Sequence, residues 1–548
     1  MRLGIDLGTT RIVTAYVDRG NYPVVVFDAP DGASSDWFPP LIAVRDDERL
    51  YGWKAWQAQQ EPGWTIVRSV KRLLEEAGPE TRIQVAGQSI PMQQLLTELV
   101  GSLRDHLLSG SNLPTTAKSE PLEVMLGVPA HAHSNQRFLT VEAFRGAGFH
   151  VLGLLNEPSA ASIEFGHRNR KARPDGGASR ILVYDLGGGT FDASLVELGG
   201  TAHEVIASEG IGTLGGDDFD EIMADLALET AGISAGERDG LTQAELFLLQ
   251  EECRQKKEAL HPNTRRLAVD LGAAREGWAE VSLTTEAFYQ RCRPLIDETM
   301  HAVEDLLASA NEPVAAGSGE PRLEALYVTG GASELPLVSR VLREEFGGRV
   351  KRSAYTRSAT AIGLAIQADA QAGYHLTEKF TRYFGVWREA EGGRSVAFDP
   401  LFVKGTSLPE PGSPPLERSR GYAAVHNVGH YRYLECSHVT EEERPAGDIT
   451  VWDDIRFPFD ASLRHEKRLS DVEVARLGNG SQVEAEERYN CDAGGTVTVT
   501  ISNLTSGYHR SYRLGRWSAE EPPIVPGKRA KTARPARARA SQKKGPPK

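Results

Sequence analysis

Cysteine is scarce in this chain: four residues, Cys253, Cys292, Cys436 and Cys491, in a length of 548. None forms a CxxC pair, the spacing that zinc sites and disulfide frameworks use, so all four read as reduced thiols. Long apolar runs are missing too. No stretch approaches the roughly 18 residues that a membrane-spanning helix needs. The opening Met1-Arg2-Leu3-Gly4-Ile5-Asp6 leads straight into an expected strand and leaves no room for a signal peptide. These absences point to a cytoplasmic protein without a membrane partner. A net charge of −13 argues against a general nucleic-acid binder. The charge is uneven, because residues 527–548 hold nine Lys or Arg and no acid. Residues 516–548 read as a disordered basic tail, the one part that could touch nucleic acid.

The length exceeds one compact core and implies two or more domains. A weak internal repeat organises them. Gly4-Ile5-Asp6-Leu7-Gly8-Thr9-Thr10 precedes an apolar run from Ile12 to Val17, and Val183-Tyr184-Asp185-Leu186-Gly187-Gly188-Gly189-Thr190 precedes another from Phe191 to Val196. Each copy reads as a strand, a tight glycine turn and a returning strand, which predicts two related lobes facing each other. Residues 122–128 and 325–329 read as buried strands, and residues 217–259 as helix with Phe219, Ile222, Leu226, Leu246, Leu249 and Cys253 on apolar stripes. Residues 356–370 read as a small-residue helix closing the second lobe. Alternating strands and helices predict an α/β fold with mixed sheets. Beyond about Gly373 the pattern becomes strands and Gly/Pro turns; Thr496-Val497-Thr498-Val499-Thr500-Ile501 alternates as a half-buried strand does, and residues 410–415 read as a loop. A β-rich, sandwich-like domain is expected there.

Both hairpin tips set backbone amides and a Thr hydroxyl beside an Asp. That combination suits a nucleoside triphosphate, with amides on phosphate oxygens and carboxylates on Mg²⁺ through water.

The resemblance becomes specific over residues 1 to about 370. Gly4 to Thr10, Val128-Pro129-Ala130, Asn156-Glu157-Pro158-Ser159-Ala160-Ala161, Tyr184 to Asp192, Leu214-Gly215-Gly216-Asp217-Asp218-Phe219-Asp220 and Val328-Thr329-Gly330-Gly331 follow the order found in heat-shock 70 (DnaK-type) chaperones. The resemblance implies an actin-like ATPase fold of two duplicated lobes. It implies that Gly8, Thr9, Thr10, Gly187, Gly188, Gly189 and Thr190 hold the β- and γ-phosphates of ATP. Asp6, Asp185 and Glu157 would hold Mg²⁺ through its waters. Asp192 would help position the hydrolytic water or a bound cation, and Lys71 would act on the γ-phosphate. Gly215, Gly216, Lys257, Gly330 and Gly331 would complete the nucleotide site. Pro129 and Arg137 match the family's proline switch and relay arginine.

The base pocket departs from the pattern. Arg254 stands where the family commonly has Glu, His261 where it has Ser, and Glu334 where it has the adenine-stacking arginine. A carboxylate cannot stack as a guanidinium does, so weaker adenine preference is expected. Residues 384–515 resemble the family's β-rich substrate-binding domain, after an ATPase domain at 1–373 and a linker at 374–383. The acidic-capped leucine linker and the helical lid of the family have no counterpart. The resemblance implies an ATP-hydrolysing chaperone for unfolded protein segments, with co-chaperones as further partners. The alternative reading is a nucleotide-switched module whose β domain recognises one folded partner.

Overall fold

The computed structural model describes residues 1–514 except 60, 76, 79, 115–119, 171–178, 311–322, 391–394, 410–412 and 478–482, and leaves out the side chains of 448 and 453. The basic tail and part of the 410–415 loop lie outside the described residues.

Two sheets carry the duplication. The first runs His150–Asn156, Glu123–Val128, Arg2–Leu7, Ile12–Tyr16; the second runs Val350–Arg352, Leu323–Thr329, Ser179–Leu186, Phe191–Gly199, Ala202–Ile211, His375–Thr377. In each, the strand before the glycine turn pairs antiparallel with its return strand and parallel with a neighbour on its other side. These central strands are apolar on both faces, as strands covered by helices on both sides must be. The two lobes meet through the helices Glu157–Asn169 and Ala359–Ala368. Their contact depends on Gly363, where a Cβ would fall within the carbonyl of Ala160.

The helical stretch expected over 217–259 is three helices: Gly216–Thr230, Ala235–Asp239 and Gln243–Glu258. Gly232, at φ 73°, ends the first. Capping boxes at Ser234/Glu237 and Thr242/Glu245 restart the chain twice. Leu246, expected on an apolar stripe, is 43% exposed, because the restart at Thr242 turns its face outward.

After Ala368 no α-helix occurs among the described residues. Two four-stranded sheets, one holding Tyr383–Ala390 and one holding Val497–Asn503, enclose a core of Phe384, Phe402, Tyr433, Trp452, Tyr489 and Ile501. In Val497–Asn503 alternate residues are buried, as the Thr/Val alternation requires. Of the stretch read as a linker, His375–Thr377 is the sixth strand of the second sheet, parallel to Ala202–Ile211. The sandwich touches the lobes through Ser134 Oγ to Glu435 Oε1 at 2.9 Å and Lys404 Nζ to Glu209 Oε1 at 2.7 Å.

Candidate active site

The two glycine turns face each other across a cleft lined by residues of both lobes. Their closeness is possible only without side chains. A Cβ on Gly188 would lie 2.8 Å from Thr10 Cγ2, and one on Gly189 2.6 Å from Thr9 Oγ1. Gly215 packs behind them, where a Cβ would lie 2.6 Å from the Gly189 nitrogen. Gly330 closes the floor at φ 84°, a conformation that L side chains rarely adopt.

At the bottom of the cleft stands one buried ammonium among carboxylates. Lys71 forms an ion pair with Glu157, both buried. Asp6, Asp185 and Glu157 line the same cleft. Burial raises Asp6 against the pull of Lys71, and raises Asp185 well above the usual carboxylate range with help from Glu157 and Asp6. Burial pushes Glu157 up to about 7, with Lys71 opposing. Asp6 Oδ1 is buried with no hydrogen-bond partner among the described residues. Excess buried negative charge and an orphaned carboxylate oxygen fit a hard divalent cation such as Mg²⁺, which takes oxygen ligands and keeps several waters. One consequence is measurable. If Glu157 helps hold the cation it must be ionised, and burial sets that ionisation near pH 7. Mg²⁺–nucleotide affinity should therefore fall as pH drops from 8 to 6, by up to about tenfold per unit below 7 for one displaced proton. Calorimetry in buffers of different ionisation enthalpy reads the released proton directly.

The other end of the cleft is rich in arginine. Lys257 Nζ donates to the Gly216 carbonyl and sits 2.7 Å from Asp220 Oδ1. Burial lifts Asp220 to about 6 against the pull of Lys257. Glu334 is bound by Arg357, Nη2 to Oε2 at 2.6 Å, and by Arg352 at 3.4 Å. Arg357 also reaches Glu258, whose carboxylate holds Arg11 from the opposite lobe at 2.6 Å. Arg11, Arg254 and Arg357 all line the cleft. Guanidinium planes are thus present, contributed by positions other than 334.

Comparison with known proteins follows the same line. A match to the family described as Hsp70 protein covers residues 111–381. The chain is 26% identical to the chaperone protein DnaK of Deinococcus deserti over 93% of its own length and 78% of that relative's. It is 33% identical to the chaperone protein HscA homolog of Vibrio campbellii and to the chaperone protein HscA of Klebsiella pneumoniae, over 68% of its length and 58% of theirs. The chain belongs to the Hsp70 family. Its two lobes are the actin-like ATPase fold of Hsp70 proteins, followed by a β-rich region. The chain spans less than two thirds of the HscA relatives it matches.

Against this Hsp70 frame the expected residues fall into two groups. Asp6, Gly8, Thr9, Thr10, Lys71, Glu157, Asp185, Gly187, Gly188, Thr190, Gly216, Lys257, Gly330 and Gly331 line the cleft. Gly189, Gly215 and Asp192 stand behind its wall. Of the two matched to the switch and relay, Pro129 precedes Ala130, which donates to Asp192, and Arg137 donates to Asn156 Oδ1 at 2.5 Å. Arg11, Arg357 and Asp220 were not anticipated as cleft residues. Arg11 follows Thr10 directly and Asp220 lies four residues after Gly216, so adjacency could have marked both, whereas Arg357 becomes a neighbour of the site only through folding. Ion pairs of Arg72 with Asp218 and of Arg68 with Asp217 at 3.1 Å also bridge the lobes. Removal of one of the three cleft guanidiniums should be visible. Arg357→Ala is expected to weaken nucleotide binding about tenfold, the loss of one stacking cation, with kcat little changed. Fluorescent-nucleotide titration beside turnover measurements checks it.

Proposed function

We propose that this chain is an ATP-hydrolysing chaperone that holds unfolded protein segments and works with co-chaperones. The observation that carries the reading is the buried Lys71 among three cleft-lining carboxylates, set between two glycine turns that face each other. The amides and hydroxyls at Gly8, Thr9, Thr10, Gly187, Gly188, Gly189 and Thr190 would hold phosphate oxygens from both lobes. Asp6, Asp185 and Glu157 would hold Mg²⁺ through water; the ion would supply neutralisation of phosphate charge. Lys71 would set its ammonium where negative charge grows on the transferring phosphoryl group, and Asp192 would orient the attacking water. Phosphoryl transfer asks mainly for such positioning and neutralisation. Gly215, Gly216, Lys257, Gly330 and Gly331 would hold the nucleoside end. The working division is an ATPase domain at 1–373, a connecting stretch at 374–383 and a substrate-binding β domain at 384–515.

Two measurements on the full chain test this. Turnover of ATP should require Mg²⁺, and the release rate of a labelled unfolded peptide should change when ATP replaces ADP. Absence of nucleotide binding in calorimetry would remove the ATPase assignment; ATP turnover without any peptide binding would remove the chaperone assignment alone.

A further inference from the structure

Asp192 is held by a chain of groups that runs away from the cleft. It lies in the strand Phe191–Gly199, two residues after Thr190 of the second glycine turn. Its Oδ1 accepts two hydrogen bonds, from the Ala130 amide at 2.8 Å and from His131 Nδ1 at 3.0 Å. The other ring nitrogen, Nε2, faces Glu75 Oε1 at 3.3 Å. A ring with a carboxylate oxygen at each nitrogen donates from both, which makes His131 an imidazolium. Burial alone would lower its pKa, yet Asp192 and Glu75 raise it to about 9. The three residues come from separate segments: just after the helix that carries Lys71, after the strand Glu123–Val128, and at the second glycine turn.

The opposite wall is cut to admit this chain. A Cβ on Gly210 would lie 2.7 Å from His131 Nδ1 and 2.9 Å from Asp192 Oδ1. One on Gly212 would lie 2.7 Å from His131 Nε2 and would overlap the Glu75 carboxylate. Asp192 itself is close enough for its charge to act on both Lys71 and Glu157. With Oδ1 taken twice, its second oxygen accepts no hydrogen bond among the described residues.

We propose that His131, backed by Glu75, is a positioning residue for hydrolysis: it fixes the rotamer of Asp192, so that the free carboxylate oxygen is presented toward the attacking water. The proposal rests on the reading of this cleft as an ATPase site. Groups that orient a reacting carboxylate or ligand are commonly worth about 10–100-fold in activity.

The experiment compares single-turnover ATP hydrolysis and ATP affinity in the full chain with His131→Leu, His131→Asn and Glu75→Gln. An Asn amide can replace the Nδ1–H bond to Asp192, whereas Leu cannot. His131→Leu should slow the chemical step about 10–100-fold with affinity within about twofold, and His131→Asn should recover most of the rate. Glu75→Gln should fall between wild type and His131→Leu. A His131→Leu rate within about twofold of wild type overturns the proposal, as does a His131→Asn rate no better than that of Leu. If Leu unfolds the protein, as thermal melting would reveal, the Asn and Gln variants decide: losses in affinity equal to those in rate also overturn it. A wild-type chain that binds ATP without hydrolysing it refutes the ATPase reading instead, before any variant is compared.

Discussion

Lys71→Ala should slow ATP hydrolysis by about 10²–10³-fold, some 2.7–4 kcal/mol of barrier, while ATP binding changes far less. The reason lies in where the charge sits. Lys71 is buried, lines the cleft with Asp6, Glu157 and Asp185, and is held in its charged form by Glu157 and Asp6 against the cost of burial. On the proposed reading a bound triphosphate would already meet amides from two glycine turns, so one ammonium would add little to ground-state affinity. Its contribution would grow as charge builds on the transferring group. Removing it also leaves Glu157 without its partner, and breaking one side of a buried ion pair costs about 3–5 kcal/mol. In the variant part of that cost disappears as Glu157 takes up a proton, so the nucleotide-free protein should melt lower by an amount that shrinks at acidic pH. Single-turnover kinetics and calorimetry separate the two effects. Wild-type turnover in Lys71→Ala would take Lys71 out of the mechanism.

Gly363→Ala should destabilise the chain by about 3 kcal/mol or more, an unusually large cost for a single methyl group. Gly363 stands in the helix Ala359–Ala368 where it crosses the helix Glu157–Asn169, and a Cβ there would fall within the Ala160 carbonyl. The obstacle is backbone, which cannot turn aside as a flexible side chain can. The helices would have to separate, and both carry residues of the cleft, Glu157 on one and Thr360 on the other. Loss of stability should thus come with weaker nucleotide binding. Gly101→Ala is the matched control: it lies inside the helix Met92–Ser109 with nothing within 4 Å of an added Cβ. That substitution should stabilise by about 0.5–1 kcal/mol through helix propensity. Urea unfolding of the two variants side by side measures the contrast. Equal stabilities would mean that the helix crossing relaxes freely.

Much of this architecture could be read before any coordinates. The strand–glycine–strand repeats at Asp6 and Asp185 are local patterns. Their apolar alternation and small turn residues impose the same hairpin wherever it is placed, and the observed registers agree. The same holds for Val497–Asn503, where period-two burial follows directly from Thr/Val alternation. Residues 217–259 were less legible, because apolar periodicity continues across Gly232 and Gly240 while helix hydrogen bonding does not.

Chemistry drawn from distant segments had no local signature at all. Glu334 by itself suggested a base pocket short of its stacking guanidinium, yet the fold brings Arg357 to Glu334 and Arg11 to Glu258 from the facing lobe. His131, an ordinary residue after a proline turn, becomes the link between Glu75 and Asp192 only when three segments converge against Gly210 and Gly212. His375–Thr377 looks like a connector in sequence and is a strand because the edge of Ala202–Ile211 offers unpaired backbone groups. Local spacing dictates which residues share a turn or a face of a strand. Which buried charges meet is decided by long-range packing, since a charge taken out of water must find its partner wherever the fold supplies one.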